Sequence, residues 1–294
     1  MKRIAVTGGN GLLGRYVVAA LEPDYEITVI DRVQTGDRQP HGTVDVLDLA
    51  ALGRALGGQD AVIHLAAIDA ANDATPQKFF HTNVLAAWNV LHAGYESGAR
   101  RFALCSSSSA YGLRADGFRA APQYLPLDES HPTRATDPYG LSKRACETVA
   151  EGFAARDGVS VAVLRPCSIA FPHMIGRMVA DYENRTASES QEWKSPMPPL
   201  RWFVAPEDAA TCFRLALEAD TGFEVFNVSA DQTFSAQPTL SLVESLFGEK
   251  PRLRDESRFE ADPYASPMGT TKARHRLGWT PQVTWESLRA RSKR

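Results

Sequence analysis

Glycines at positions 8, 11 and 14 of Thr7-Gly8-Gly9-Asn10-Gly11-Leu12-Leu13-Gly14 constrain this chain more than any other feature. The run lies between a β-rich stretch, Ile4–Thr7, and a helical one, Leu12–Leu21. In that setting Gly8 permits a tight turn, Gly11 lets the backbone approach a pyrophosphate, and Gly14 allows close helix–strand packing. The helix N-terminus adds free N–H groups and the positive end of a dipole. A glycine triplet alone means little. Between a strand and a helix it points to a dinucleotide site.

The remaining pattern agrees. Short β-rich runs at Glu26–Asp31, Ala61–Leu65, Arg101–Ser106 and Ser160–Arg165 alternate with helical stretches at Leu49–Leu56, Pro76–Ser97 and Pro138–Arg156. Apolar runs of this length separated by helices predict a parallel sheet covered on both faces. The fold class expected is α/β, a Rossmann doubly wound sheet over residues 1–168, followed by a smaller α+β substrate domain over 169–294. Some of its segments return to the sheet. In that last third, Glu207–Glu218, Ser241–Phe247 and Thr270–Leu277 read as helices and Glu224–Val228 as a strand. Phe171 to Pro199 reads as polar, with a loop at Asn184–Glu192 and a breaker at Pro196–Pro199. Arg252–Pro267 reads as irregular.

Asp31 ends the second strand, where a carboxylate accepts hydrogen bonds from both ribose hydroxyls of NAD and repels the 2′-phosphate of NADP. Arg32 beside it either pairs with that phosphate or lies over the adenine. NAD is expected over NADP. Asp45-Val46 either brackets the adenine edge or is a surface acid beside a core valine.

Tyr139 and Lys143, in Asp137-Pro138-Tyr139-Gly140-Leu141-Ser142-Lys143, stand at i and i+4 on one helix face. An ammonium beside a phenol lowers the phenol's pKa toward neutrality, and a poised phenolate is a general base for a substrate hydroxyl.

These residues together resemble the extended short-chain dehydrogenase/reductases of the NAD-dependent epimerase/dehydratase family. The likeness also rests on His64-Leu65-Ala66-Ala67, on Asn83-Val84 with Asn89-Val90-Leu91, on Ser106 to Gly112, on Leu164-Arg165-Pro166 and on Leu277-Gly278-Trp279-Thr280-Pro281. It runs from Lys2 to about Leu288. It implies an NAD-dependent oxidoreductase or epimerase acting on a secondary hydroxyl of a sugar or polyol. Tyr139 is then the base, Ser107 the hydroxyl partner of the reacting oxygen with Ser108 as the adjacent alternative in the serine run, and Lys143 the group that holds the ribose and tunes Tyr139. Leu12 and Leu13 are implied under the pyrophosphate, Leu65, Ala66 and Ala67 along the adenosine and ribose, and Pro166 and Cys167 beside the nicotinamide. Asn83 either supports the site or is a capping or core amide. Ser108, Tyr111, Ser168 and Arg201 are assigned to the substrate side, with packing as the competing role for Tyr111. The resemblance also implies a homodimer through the two long helices.

Departures from the family pattern narrow this. Ser108-Ser109 stand where sugar dehydratases carry Asp-Glu, which argues against dehydration. Arg201 to Asp208 keeps only the ends of the phosphate-binding segment of nucleotide-sugar epimerases, and the stretch between Pro172 and Arg201 is short. A free sugar, uronate or polyol therefore fits better than a nucleotide sugar, with a nucleotide-sugar 4-epimerase as the alternative. A non-catalytic NAD(P)-binding sensor is a further alternative, although sensors typically lose the Tyr or the Lys. Arg165 either pairs in the core or reaches a substrate carboxylate, and His173 is a solvated loop residue or a second acid.

Composition excludes little else. Net charge is −3 over 294 residues, with no basic excess to suggest nucleic acid. Cys105, Cys146, Cys167 and Cys212 lack metal-ligand spacing and read as buried thiols. Arg289 to Arg294 reads as a solvated basic tail. Met1-Lys2-Arg3 leads directly into the first strand and no apolar run would span a bilayer. A cytoplasmic protein with no membrane or nucleic-acid partner is expected.

Overall fold

The computed structural model describes residues 1–33, 43–70, 74–113, 121–156, 158–183 and 200–292. The Asn184–Glu192 loop, the Pro196–Pro199 breaker and the last two residues of the basic tail lie outside them. In chain order the elements are β1 (Arg3–Thr7), α1 (Gly14–Leu21), β2 (Glu26–Ile30), α2 (Leu49–Ala55), β3 (Ala61–His64), α3 (Pro76–Phe79) and α4 (Leu85–Glu96). Next come β4 (Arg101–Cys105), β5 (Tyr124–Leu125), α5 (Pro138–Ala154), β6 (Ser160–Pro166), α6 (Pro172–Glu183), α7 (Pro206–Glu218) and β7 (Phe223–Val228). α8 (Thr239–Phe247), β8 (Arg252–Leu253), α9 (Glu256–Ala261), α10 (Thr271–Leu277) and α11 (Trp285–Arg291) complete the described chain.

Six strands form one parallel sheet in the order β2-β1-β3-β4-β6-β7. Alternation along each strand explains why both faces are covered. Ile4, Val6, Ile63 and Leu164 face a core closed by Val17, Leu21 and Phe213 of α1 and α7. Ala5, Val62, Phe102 and Val163 face the other, closed by α2, α4 and α5. After β1 the chain moves to β2 on one side and returns to β3 on the other. Strand order therefore reverses at β1, and a crevice opens there at the carboxyl ends of the strands.

Local chemistry fixes the helix that matters most. Asp137 caps α5, its carboxylate accepting from the Gly140 amide at 2.8 Å, and Pro138 opens the first turn. A third cluster, with Ile175, Met178, Phe203, Phe234, Trp285 and Leu288, packs α6 against α11 beyond the sheet. A two-stranded parallel ribbon joins β5 to β8.

Four sequence expectations need correction. Pro76–Ser97 is not one α-helix: a π-helical turn, Phe80–Val84, separates α3 from α4. The stretch after Phe171 opens with α6, whose Ile175 and Met178 turn inward. Arg252–Pro267 contains β8 and α9, the latter capped by Asp255. The basic tail begins inside α11, where Leu288 is buried, Arg289 lies 5.3 Å from the Tyr182 ring centre and Arg291 pairs with Glu207 at 3.0 Å. No helix among the described residues is long and apolar enough to cross a membrane.

Candidate active site

The glycine turn occupies the crevice. Gly8 has φ +72°, and a Cβ there would sit 2.7 Å from the Ala66 amide nitrogen. A Cβ on Gly14 would run into the Gly8 carbonyl oxygen. The turn is thus pressed onto the β3 loop and onto itself with no room for side chains. That is the cradle a dinucleotide pyrophosphate requires. A cleft of about 650 Å³ runs from it across the ends of β4 and β6 to α6. This volume lies within the range typical of ligand sites, about 300–1,000 Å³.

On the cofactor side the cleft is lined by Gly8, Gly11, Leu12, Leu13, Gly14, Leu65 and Ala67, and further along by Pro166 and Cys167. Ala66 lies just behind, against the buried floor. Asp31 sits at the end of β2, its carboxylate accepting from Asn10 N at 3.1 Å and from Val33 N at 3.2 Å. Arg32 is exposed beside it. Asp45 accepts from Leu47 N at 2.9 Å in its own turn, and Val46 is in the core.

Asn83 also stands behind the wall rather than in it. It is 1% exposed. Its amide accepts from Ile68 N at 2.8 Å and donates to Ile68 O at 3.1 Å and Ser142 Oγ at 3.0 Å. The residue therefore ties the β3 loop to α5. The π turn leaves its carbonyl available to the Cys146 thiol at 3.4 Å.

Tyr139, Lys143 and Ser107 meet at the centre. Lys143 is 4% exposed, donates to Cys105 O at 2.8 Å and lies 5.8 Å from the Tyr139 ring centre. Phe79 packs edge-on against the Tyr139 ring. Ser107 is extended, and its hydroxyl caps a 3-10 turn, Ser108–Tyr111, on the cleft wall shared with Tyr139. The expected drop in the Tyr139 pKa is not the net result. Burial pushes the phenol above its usual value, and Lys143 and Ser107 only oppose that rise. Lys143 is disfavoured by burial, but Tyr139 and the Cys105 thiol outweigh this and hold it above the usual lysine value. His64, beneath, is neutral: burial, aided by Lys143, lowers its pKa to about 3.

The substrate half is lined by Ser108, Ser168, Phe171, His173, Met174 and Trp202, with Asp69 and Arg177 as further charged groups. Two residues assigned to the substrate side have partners elsewhere. Tyr111 is 1% exposed; its hydroxyl donates to Asn227 Oδ1 at 2.8 Å and accepts from Arg165 Nη1 at 3.0 Å, so it is a packing residue. Arg201 is turned to Asp181, with Nε 2.6 Å from Oδ2, and does not line the cleft. Arg165 pairs in the core with Glu147. His173, stacked on Phe171, faces the cleft from the start of α6. Asp69 and Arg177 escaped the sequence reading because neither lies in a motif; recognising α6 would have placed Arg177 one turn from His173.

Residues 4–229 match the family model described as the NAD dependent epimerase/dehydratase family. A UDP-glucose 4-epimerase of Corynebacterium glutamicum is 24% identical over 309 residues, covering 96% of this chain and 92% of its own length. An L-arabinose 1-dehydrogenase (NAD(P)(+)) of Haloferax volcanii is 30% identical over 269 residues, covering 87% and 98%. Among solved structures, MoeE5 in complex with UDP-glucuronic acid and NAD superposes with a TM-score of 0.70 at 25% identity, covering 97% of this chain and 96% of that one.

Proposed function

The chain belongs to the NAD dependent epimerase/dehydratase family, and we propose that it uses NAD to oxidise a secondary hydroxyl of a free sugar, sugar acid or polyol. The observation that carries this reading is the convergence of Tyr139, Lys143 and Ser107 in the same cleft as the glycine turn.

Bound NAD supplies the hydride acceptor; the chain's own residues do the rest. Helix α1 and the glycine turn hold the pyrophosphate by backbone amides. Asp31 takes the ribose hydroxyls at the adenine end. Lys143 holds the other ribose and its charge favours the ionised form of Tyr139. Ser107 donates to the substrate oxygen and fixes it beside the phenol. Tyr139 removes the hydroxyl proton. Leu12, Leu13, Leu65, Pro166 and Cys167 exclude water from the face of the reaction. Ser108 and Ser168 offer hydrogen bonds to neighbouring substrate hydroxyls.

Two observations support a small substrate. Arg201, the remnant of a diphosphate-binding segment, is engaged by Asp181. The L-arabinose 1-dehydrogenase relative shares 30% identity over 87% of this chain. The epimerase relatives favour a second reading, a nucleotide-sugar 4-epimerase working with the same residues. Incubating the protein with NAD or NADP and a panel of sugars, uronates and nucleotide sugars separates them. Stoichiometric NADH marks a dehydrogenase, and epimerised product without NADH marks the second reading. Neither outcome with any substrate overturns both. A homodimer through α4 and α5 is part of the proposal, supported by exposed Phe80, Leu85 and Trp88 on that side. A monomer in sedimentation would remove it.

A further inference from the structure

We propose that Glu147 is a positioning residue: through Ser106 and Arg165 it sets the separate segments that carry Ser107, Tyr139 and Lys143 in register. The proposal rests on the reading of those three groups as the reacting site. Tyr139, Lys143 and Glu147 occupy successive turns of one face of α5. Glu147 is buried and accepts from Ser106 Oγ at 2.5 Å. It also takes Arg165 in a forked pair, Nε at 2.8 Å and Nη2 at 2.7 Å.

Each partner adjoins part of the site. Ser106 directly precedes Ser107, and Arg165 directly precedes Pro166 and Cys167 on the cleft wall. One turn earlier Lys143 grips the Cys105 carbonyl at 2.8 Å. Lys143 and Glu147 thus hold consecutive residues of the segment that delivers Ser107. Arg165 continues the chain to the Tyr111 hydroxyl at 3.0 Å, at the far end of the turn that Ser107 opens. Asn83, Ser106, Lys143 and Glu147 line a cavity of about 10 Å³, about the size of one water.

A role in stability alone accounts poorly for this arrangement. A buried ion pair generally stabilises no better than apolar residues of the same volume, because desolvation cancels its attraction. A forked guanidinium–carboxylate pair does fix direction as well as distance, which apolar contact does not. Misplacing a reacting group by about 1 Å costs about 100-fold in rate.

The test uses the full chain saturated with NAD, comparing the parent with Glu147→Gln. Tyrosine labelled with carbon-13 at Cζ reports the Tyr139 titration by NMR, the resonance being the one lost in Tyr139→Phe. Thermal unfolding and NAD titration run in parallel. We expect Glu147→Gln to stay folded and to bind NAD within about threefold of the parent. The Tyr139 titration should move up, as Lys143 and Ser107 shift away from the phenol. With any sugar that the parent oxidises, kcat should fall about 100-fold with little change in KM. A parent-like titration and kcat in a less stable protein would make Glu147 merely structural and overturn the proposal. If Glu147→Gln does not fold, the paired change Glu147→Leu with Arg165→Met removes the clamp without leaving a lone charge, and the same readouts decide. If the parent oxidises no sugar, the reading of the reaction fails, but the Tyr139 titration still judges the clamp.

Discussion

Tyr139 carries two opposed influences, and their balance makes a pH prediction. Burial holds the phenol above its usual pKa while Lys143 and Ser107 pull it down. Only the ionised form accepts a proton, so kcat/KM for oxidation should rise with pH, about tenfold per unit on the acid side of the limb. Tyr139→Phe should lower kcat/KM by about 10²–10⁴-fold and leave NAD binding nearly intact. Isothermal titration and initial rates check both halves. His64 gives a second pH effect of a different kind. Its folded pKa is about 3, against 6.5 for an unperturbed histidine. The unfolded chain therefore binds the proton first as pH falls, and stability drops below about pH 6.5 until both states are protonated near pH 3. The slope from this site approaches about 1.4 kcal/mol per pH unit. Urea unfolding at neutral and mildly acid pH should show a flatter dependence in His64→Gln. Of these residues, the Tyr139–Lys143 spacing was legible in sequence because one helix sets it. The net pKa was not, because burial is imposed by Phe79, Cys105 and other distant segments. Tyr111 and Arg201 misled for the same reason: a motif gives a residue's place in the chain, not which neighbour claims its polar atoms.

At the scale of single elements, the glycine turn is the most sharply constrained. Gly14→Ala sets a methyl against the Gly8 carbonyl and Gly9 backbone. It should cost about 1–3 kcal/mol of stability and abolish measurable NAD binding, since relief requires opening the cradle. Thermal unfolding and NAD titration on one sample would check this. Had the variant bound NAD like the parent, the turn would not be the pyrophosphate seat. Elements with strong periodicity or turn chemistry were readable, among them β1, α1 and α5 with its Asp137-Pro138 start. The π turn was not, since its cause is tertiary: Asn83 is held by Ile68 and Ser142. Nor was α6, where the inward residues Ile175 and Met178 are outnumbered by polar ones facing outward. Of the two, α6 lines the substrate half of the cleft, which is why that half was harder to read than the cofactor half.

For the molecule as a whole, the strand order follows from the alternation of strand and helix, and its reversal at β1 fixes where ligands can sit. The region beyond the sheet depends instead on scattered apolar residues. Trp285 of α11 packs on Phe203, Phe234 and Tyr182, the last on α6. Trp285→Ala should destabilise the protein by about 3–5 kcal/mol, and the loss should weaken substrate binding more than NAD binding because α6 lines only the substrate half. Denaturant melts and separate affinities for the two ligands test that split. A last consequence concerns β7, which is paired on one side by β6 and ends the sheet. Glu129 reaches across and accepts the Asn227 amide at 2.8 Å, occupying a position that an incoming strand would need. A carboxylate on that donor would act as a guard against pairing with a strand of another molecule. Burial raises its pKa despite that hydrogen bond. The guard should lose its charge earlier than an ordinary surface glutamate does. Mild acidification would then favour clumping of folded protein, and light scattering during storage would show whether Glu129 sets that limit.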